Sequence, residues 1–212
     1  MSQELIKRIL SSIVLIPVVF FFIIKGSIFF TSFIIICFFI SSYEWHIISK
    51  KNFFSFFGHI FIFISFLSVY KLRINPDNDY WNLLFVIVIC VSTDIGGYVF
   101  GKILKGPKLS KFSPNKTYSG MMGGFLLSII LTYIFINIFP AKNNNQINWF
   151  ILVILISSIS QLGDIIISYF KRLKKIKDTG KIIPGHGGLL DRIDGMIFAF
   201  PFSYIVFLIN VI

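Results

Sequence analysis

Trp81-Asn-Leu-Leu-Phe-Val-Ile-Val-Ile-Cys-Val-Ser-Thr-Asp94-Ile-Gly-Gly-Tyr-Val-Phe-Gly-Lys-Ile-Leu104 is an apolar run carrying one acid and one base. A run of about 20 apolar residues is long enough to cross a bilayer as a helix. Six more such runs lie near 9–25, 27–48, 53–70, 119–139, 148–170 and 194–211. The chain has 212 residues, 56% of them hydrophobic and 14% charged, with 27 Phe. A water-soluble fold of this length has too little interior to hide that much apolar surface. The expected fold class is an all-α polytopic membrane protein with about seven transmembrane helices. The first two runs touch at Lys25-Gly26-Ser27, so a re-entrant hairpin is the alternative there. No small-residue cleavage pattern follows the first run, so a removable signal peptide is not expected.

Loop charge orients the bundle. With the N-terminus in the cytoplasm, the inner segments hold Lys7, Arg8, Lys50, Lys51, Lys102, Lys105, Lys108, Lys111, Lys116, Lys171, Arg172, Lys174, Lys175, Lys177, Lys181 and Arg192, which is 16 of the 20 basic residues. Lys25, Lys71, Arg73 and Lys142 remain outside. That asymmetry is what the positive-inside rule expects, and it puts the C-terminus outside. The working loops are thereby expected to face the cytoplasm. The net charge of +11 is split among short loops, which argues against nucleic acid as a partner and for anionic membrane lipids. Cys37 and Cys90 sit inside apolar runs without metal-ligand spacing and read as packing residues. Residues 1–212 read as a single membrane domain: N-terminal spans over 1–80, then a core over 81–212 with cytoplasmic loops near 102–118 and 171–193. A homodimer is compatible with such a bundle, although no helix face marks an interface.

Polar chemistry gathers in two segments. In the first, Asp94 and Tyr98 share a helix face, as do Gly97 and Gly101, whose missing side chains let another backbone approach. An ionised Asp94 at membrane depth needs a cation or a basic partner; the alternative is a packing Asp bonded to a neighbour. Ser113-Pro114-Asn115 is a turn. Lys116 and Thr117 then precede a span that begins as a helix, where free N–H groups and an ammonium suit a triphosphate. A purely topogenic basic loop with a helix cap is the plainer reading. Glu44, Trp45 and His46 end the second run, and Glu44 reads as an interfacial cap beside an aromatic anchor, with a functional acid as the alternative.

In the second segment, Asp164, Ser168 and Arg172 fall on one helical stripe. Asp191 and Asp194 share a face if the chain is helical from Leu190. Three carboxylates directed at one site, with no Cys nearby, suit a hard ion such as Mg²⁺, which keeps waters and is completed by substrate phosphates. The alternative is salt bridging to the nearby cations. His186 lies among Gly185, Gly187 and Gly188, which permit close backbone approach to a ligand. It reads as a phosphate donor rather than a metal ligand, because no second His is suitably spaced.

Ser168-Tyr-Phe-Lys171-Arg172, Lys177-Asp178-Thr-Gly180 and Pro184-Gly-His186-Gly-Gly-Leu-Leu-Asp191-Arg192-Ile-Asp194 together resemble the diagnostic motif of bacterial phosphatidate cytidylyltransferases, also called CDP-diglyceride synthases. Ser113 to Thr117 and Asp94…Tyr98…Gly101-Lys102 resemble two further family motifs, in the expected order. The resemblance covers roughly 90–212 and, with these motifs, makes 81–212 the part expected to be catalytic. It implies the reaction CTP + phosphatidate → CDP-diacylglycerol + pyrophosphate in a bacterial inner membrane, with Mg²⁺ and room for a second cation. It maps the metal centre onto Asp164, Asp191 and Asp194. Two departures stand out: Ile167 and Ser119 occupy positions where family members often carry Glu. Lys171, Arg172, Lys177 and Arg192 are then expected to hold phosphates, and Lys116 and Thr117 to contact the nucleotide. Asp94, Ser113, Ser168, Asp178, His186 and Gly187 complete the expected binding set. The competing readings are another CTP-using lipid enzyme, such as a CTP-dependent polyprenol kinase, and a small-ion or solute transporter.

Overall fold

The computed structural model describes residues 3–49, 54–74, 80–109, 113, 116–141, 148–180, 182 and 187–209. Their regular structure is helical, apart from an isolated antiparallel bridge between Lys108 and Thr117 and a bridge residue at Gly187. The helices are α1 (Gln3–Lys25), α2 (Ser27–Ser49), α3 (Phe54–Arg73), α4 (Trp81–Leu104), α5 (Tyr118–Ile138), α6 (Trp149–Leu173), α7 (Leu190–Ile193) and α8 (Met196–Ile209). Five stretches are long and apolar enough to cross a membrane: Ser27–Ser49, Ser55–Arg73, Trp81–Leu104, Tyr118–Ile138 and Trp149–Leu173. They answer to five of the seven predicted runs. The other two runs carry shorter apolar helices, Ile13–Lys25 and Met196–Ile209. The 14 residues of α8 rise about 21 Å, less than the roughly 30 Å of a bilayer's hydrocarbon core.

Lipid is the solvent these helices are built for. Ile103, Phe56, Leu208, Phe39 and Ile13 are among many large apolar side chains left exposed. Water would not tolerate such continuous apolar cover. Hydroxyls inside the helices bond back to their own turn: Ser65 donates to Phe61 O (2.9 Å), Ser68 to Ile64 O (2.8 Å) and Ser203 to Ala199 O (2.7 Å). Such back-bonding satisfies a polar group where no water is present. These features describe a multi-pass membrane protein.

The chain forms two compact units, Met1–Tyr70 with Phe170–Ile193, and Lys71–Tyr169 with Asp194–Ile212. In the first unit, α1 and α2 break at Gly26, whose φ of +62° lies in the region glycine favours. The helices meet beyond the break, with Phe22 and Phe33 stacked at 4.7 Å. Trp45 closes the other end of α2. Its Nε1 donates to Ser55 O (3.1 Å), and its indole covers Gly58.

In the second unit α4 and α5 pack backbone to backbone. A Cβ on Gly96 would strike the carbonyl of Gly123, and one on Gly120 would lie 2.6 Å from Gly97 O and 3.3 Å from Gly101 Cα. The expectation that Gly97 and Gly101 admit a second backbone is met by Gly120. Thr93 Oγ1 bonds Ser157 Oγ at 2.8 Å, tying α4 to α6. Gly195 rests on Ser160 of α6, and Gly163 on Phe198 of α8.

Candidate active site

In the second unit the site is built on the start of α5 and the end of α6. Lys116 and Asp164 form an ion pair, and Ser168 Oγ donates to Asp164 Oδ1 at 3.3 Å. The predicted Asp164–Ser168 stripe is therefore a bonded pair on α6. Arg172, the third member of that stripe, directs Nη1 to Ile176 O at 3.3 Å.

The strand-like segment before α5 holds Lys116 in place. Leu109 N donates to Lys116 O (2.8 Å), Tyr118 N to Pro107 O (3.1 Å) and Lys116 N to Ser113 O (3.1 Å). Thr117 caps α5, accepting from Gly120 N at 3.1 Å. Ser119 donates to Lys105 O, so the 2.9 Å contact between Thr117 and Ser119 must carry the Thr117 proton. Ser119 thus fastens the turn in which Lys105 and Gly106 take positive φ. Two early N–H groups of α5, those of Tyr118 and Gly120, are spent on the protein itself. The terminus of α5 therefore has fewer free N–H groups to offer an anion than the sequence suggests. Thr117→Val should cost about 1 kcal/mol by removing this cap, read as a lower unfolding temperature in detergent. The other position lacking the family's acid, Ile167, is buried as a packing residue.

Asp94 is exposed on α4, on the face that also shows Tyr98 and Lys102; the Lys102 ammonium stands 5.7 Å from the Tyr98 ring centre. Asp194 is not on α7, because that helix ends at Ile193 and Asp194-Gly195 forms a turn. The expected shared face with Asp191 is therefore not formed. Asp194 Oδ1 instead accepts from Gly195 N at 3.0 Å, ahead of α8.

In the first unit Asp191 is the hub. Its Oδ1 accepts from Lys171 Nζ at 2.9 Å. Its Oδ2 accepts from Thr179 N (2.7 Å), Thr179 Oγ1 (3.0 Å) and Gly188 N (3.0 Å). The two backbone N–H groups already occupy Oδ2, and the single Thr179 hydroxyl proton is shared between it and Glu44 Oε2, so Oδ1 is the oxygen more open to a further ligand. Lys171 is only 8% exposed, a burial that its pairing with Asp191 offsets. Gly187 has φ +87°, and a Cβ there would lie 2.8 Å from Asp191 Oδ2 and 3.2 Å from Asp178 Cβ. Lys177, Asp178 and Arg192 are exposed. His186 lies outside the described residues, as do Pro184, Gly185, Pro114 and Asn115.

Glu44, expected as an interfacial cap, is instead 1% exposed. It accepts from Leu190 N (2.7 Å), Leu189 N (3.0 Å) and Thr179 Oγ1 (2.9 Å). The signal was present in the sequence: a lone acid at the end of an apolar helix. What hid its role was the distance along the chain to its partners.

Asp164 and Asp194 belong to one unit and Asp191 to the other. Among the described residues no three His, Cys, Asp or Glu side chains gather closely enough to hold a metal ion by themselves. Asp164 and Asp191 nevertheless offer hard oxygen donors, each already facing a lysine ammonium. A divalent ion completed by phosphates and water suits such a donor set.

A model of the cytidylyltransferase family matches residues 49–210. A phosphatidate cytidylyltransferase of Rickettsia bellii is 40% identical over 218 residues, covering 99% of this chain and 92% of that protein. One from Brucella suis is 36% identical over 149 residues, covering 70% of this chain and 54% of the relative. One from Staphylococcus saprophyticus is 37% identical over 160 residues, covering 72% and 60%. The chain thus spans little more than half the length of the Brucella and Staphylococcus proteins and nearly all of the Rickettsia one. With its motif segments inside the matched region, the chain belongs to the cytidylyltransferase family.

Proposed function

We propose that this protein is a phosphatidate cytidylyltransferase that transfers CMP from CTP to phosphatidate, releasing pyrophosphate. The observation that carries the reading is the pair of lysine–aspartate couples, Lys116–Asp164 and Lys171–Asp191, held on the segments that bear the family motifs. A phosphate oxygen of phosphatidate attacks the α-phosphorus of CTP in line, the α–β bridging bond breaks, and pyrophosphate leaves with its electron pair. The attacking phosphate is already ionised at neutral pH, so no general base is required. The problem is to bring anions together, which makes positioning and charge neutralisation the main catalytic terms.

Lys116 is suited to nucleotide phosphate oxygens, and its pairing with Asp164 restrains its ammonium. Lys171, Arg172, Lys177 and Arg192 bring further cations, the arginines suited to two-oxygen contacts. Asp164 and Asp194 in one unit and Asp191 in the other carry the hard carboxylate oxygens that would serve Mg²⁺. When bound, Mg²⁺ supplies charge neutralisation at the phosphates and the leaving pyrophosphate. The acyl chains of phosphatidate remain in lipid. In the cell this reading places seven spans in a bacterial inner membrane, N-terminus and working loops on the cytoplasmic side.

The test is label transfer. Purified protein with phosphatidate, Mg²⁺ and CTP labelled at the α-phosphate should yield labelled CDP-diacylglycerol, and EDTA should stop it. Transfer of a γ-phosphate label would instead identify a lipid kinase. Ion flux in proteoliposomes without any CTP turnover would identify a transporter.

A further inference from the structure

We propose that Glu44 is a positioning residue of this active site, acting through Thr179 and the start of α7 on Asp191; this rests on the cytidylyltransferase reading above. Glu44 lies before residue 49, outside the region that the family model matches. It is nevertheless the most deeply buried acid among the described residues, at 1% exposure. Its carboxylate receives three donors, all from the segment 179–190. Charge-assisted hydrogen bonds of this kind are strong in a desolvated place. Releasing the segment would strand a buried charge and orphan the N–H groups of Leu189 and Leu190. The segment is shaped to fit the clamp. A Cβ on Gly188 would collide with Thr179 Oγ1 and both Glu44 oxygens, and one on Gly180 would lie 2.7 Å from Glu44 Oε1.

Thr179 is the link. Its single hydroxyl proton faces Glu44 Oε2 at 2.9 Å and Asp191 Oδ2 at 3.0 Å. Its backbone N–H also goes to Asp191, at 2.7 Å. Fixing Leu189, Leu190 and Thr179 therefore fixes the orientation of the Asp191 carboxylate, and with it the Lys171 ammonium on Oδ1. Glu44 touches no substrate in this scheme. It sets the angle at which Asp191 and Lys171 are presented.

The experiment uses the full-length protein in lipid nanodiscs, as wild type, Glu44→Gln, Thr179→Val and Thr179→Ser. Two quantities are read: kcat and KM per folded molecule, and hydrogen exchange at residues 178–191. Glu44→Gln and Thr179→Val should each lower kcat about 100-fold, as a misplacement of about 1 Å does. KM for phosphatidate should change little. Leu189 and Leu190 should exchange faster in both variants. Thr179→Ser, which restores the hydroxyl, should recover kcat and protection. The double variant should be little worse than either single one, because both break one chain of contacts.

Wild-type kcat with unchanged exchange in Glu44→Gln overturns the proposal. So does a loss confined to yield or unfolding temperature with kcat intact, which marks a merely structural acid. If Glu44→Gln does not fold, equal kcat in Thr179→Val and Thr179→Ser overturns it. If wild-type protein makes no CDP-diacylglycerol, the functional reading fails, and the positioning role falls with it. Exchange at Leu189 and Leu190 then still decides separately whether the clamp exists.

Discussion

Asp164→Asn is expected to lower turnover about 10²- to 10³-fold while leaving the protein folded in the membrane. Asn keeps the shape of Asp and can still accept from Ser168. It loses the charge that faces Lys116 and the hard anionic oxygen that a divalent ion needs. The side chains of Lys116 and Asp164 are 28% and 22% exposed, so solvent weakens the pair. Removing it should cost no more than about 1 kcal/mol of stability. A large kinetic loss with a small stability loss is thus the signature of a catalytic carboxylate. The measurement is label transfer from CTP at millimolar Mg²⁺, beside size-exclusion chromatography of the same preparation. Near-normal turnover of the variant would remove Asp164 from the active site.

Gly96→Ala is expected to destabilise the helical core by about 1–3 kcal/mol, and Gly96→Val by more. The new Cβ at position 96 meets the carbonyl oxygen of Gly123, and the next obstacles are Gly123 C and Leu127 Cβ, both at 2.9 Å. Backbone atoms cannot rotate away, so α4 and α5 must separate. Gly97→Ala is the matched control. There the nearest atom to a Cβ is Gly120 O at 3.8 Å, an ordinary contact. That variant should unfold at or near the wild-type temperature in detergent. Equal unfolding temperatures for Gly96→Ala and Gly97→Ala would contradict the backbone-to-backbone packing.

Much of this architecture is legible in one dimension. The limits of α4, α5 and α6 lie within three residues of the predicted runs 81–104, 119–139 and 148–170. Hydropathy over about 20 residues is a local property, and a bilayer reads it locally. Thr117 as a cap and Gly26 as a break also follow from single residues and their neighbours. The C-terminal end was less legible. The pattern from Leu190 onward continues apolar, yet Asp194-Gly195 interrupts it and separates α7 from α8. Ser119 looks like a lost acid in a family pattern, but its hydroxyl fastens the turn at Lys105.

Family and chemical class came from short motifs, because a phosphate-handling site needs particular side chains at close spacing. The partners of those side chains did not come that way. Lys116 meets Asp164 across 48 residues, and Glu44 meets Leu190 across 146. That Glu44 is buried rather than interfacial depends on segments distant in the chain being packed together. Hydropathy and motif spacing carry no term for such pairings, since a hydrogen bond forms between neighbours in space whatever their separation in sequence. The amino-acid order alone therefore determined which runs are apolar enough for lipid and which motifs the chain carries; only the packed helices decided that Glu44 anchors the 179–190 segment, because its donors meet it in space and not in sequence.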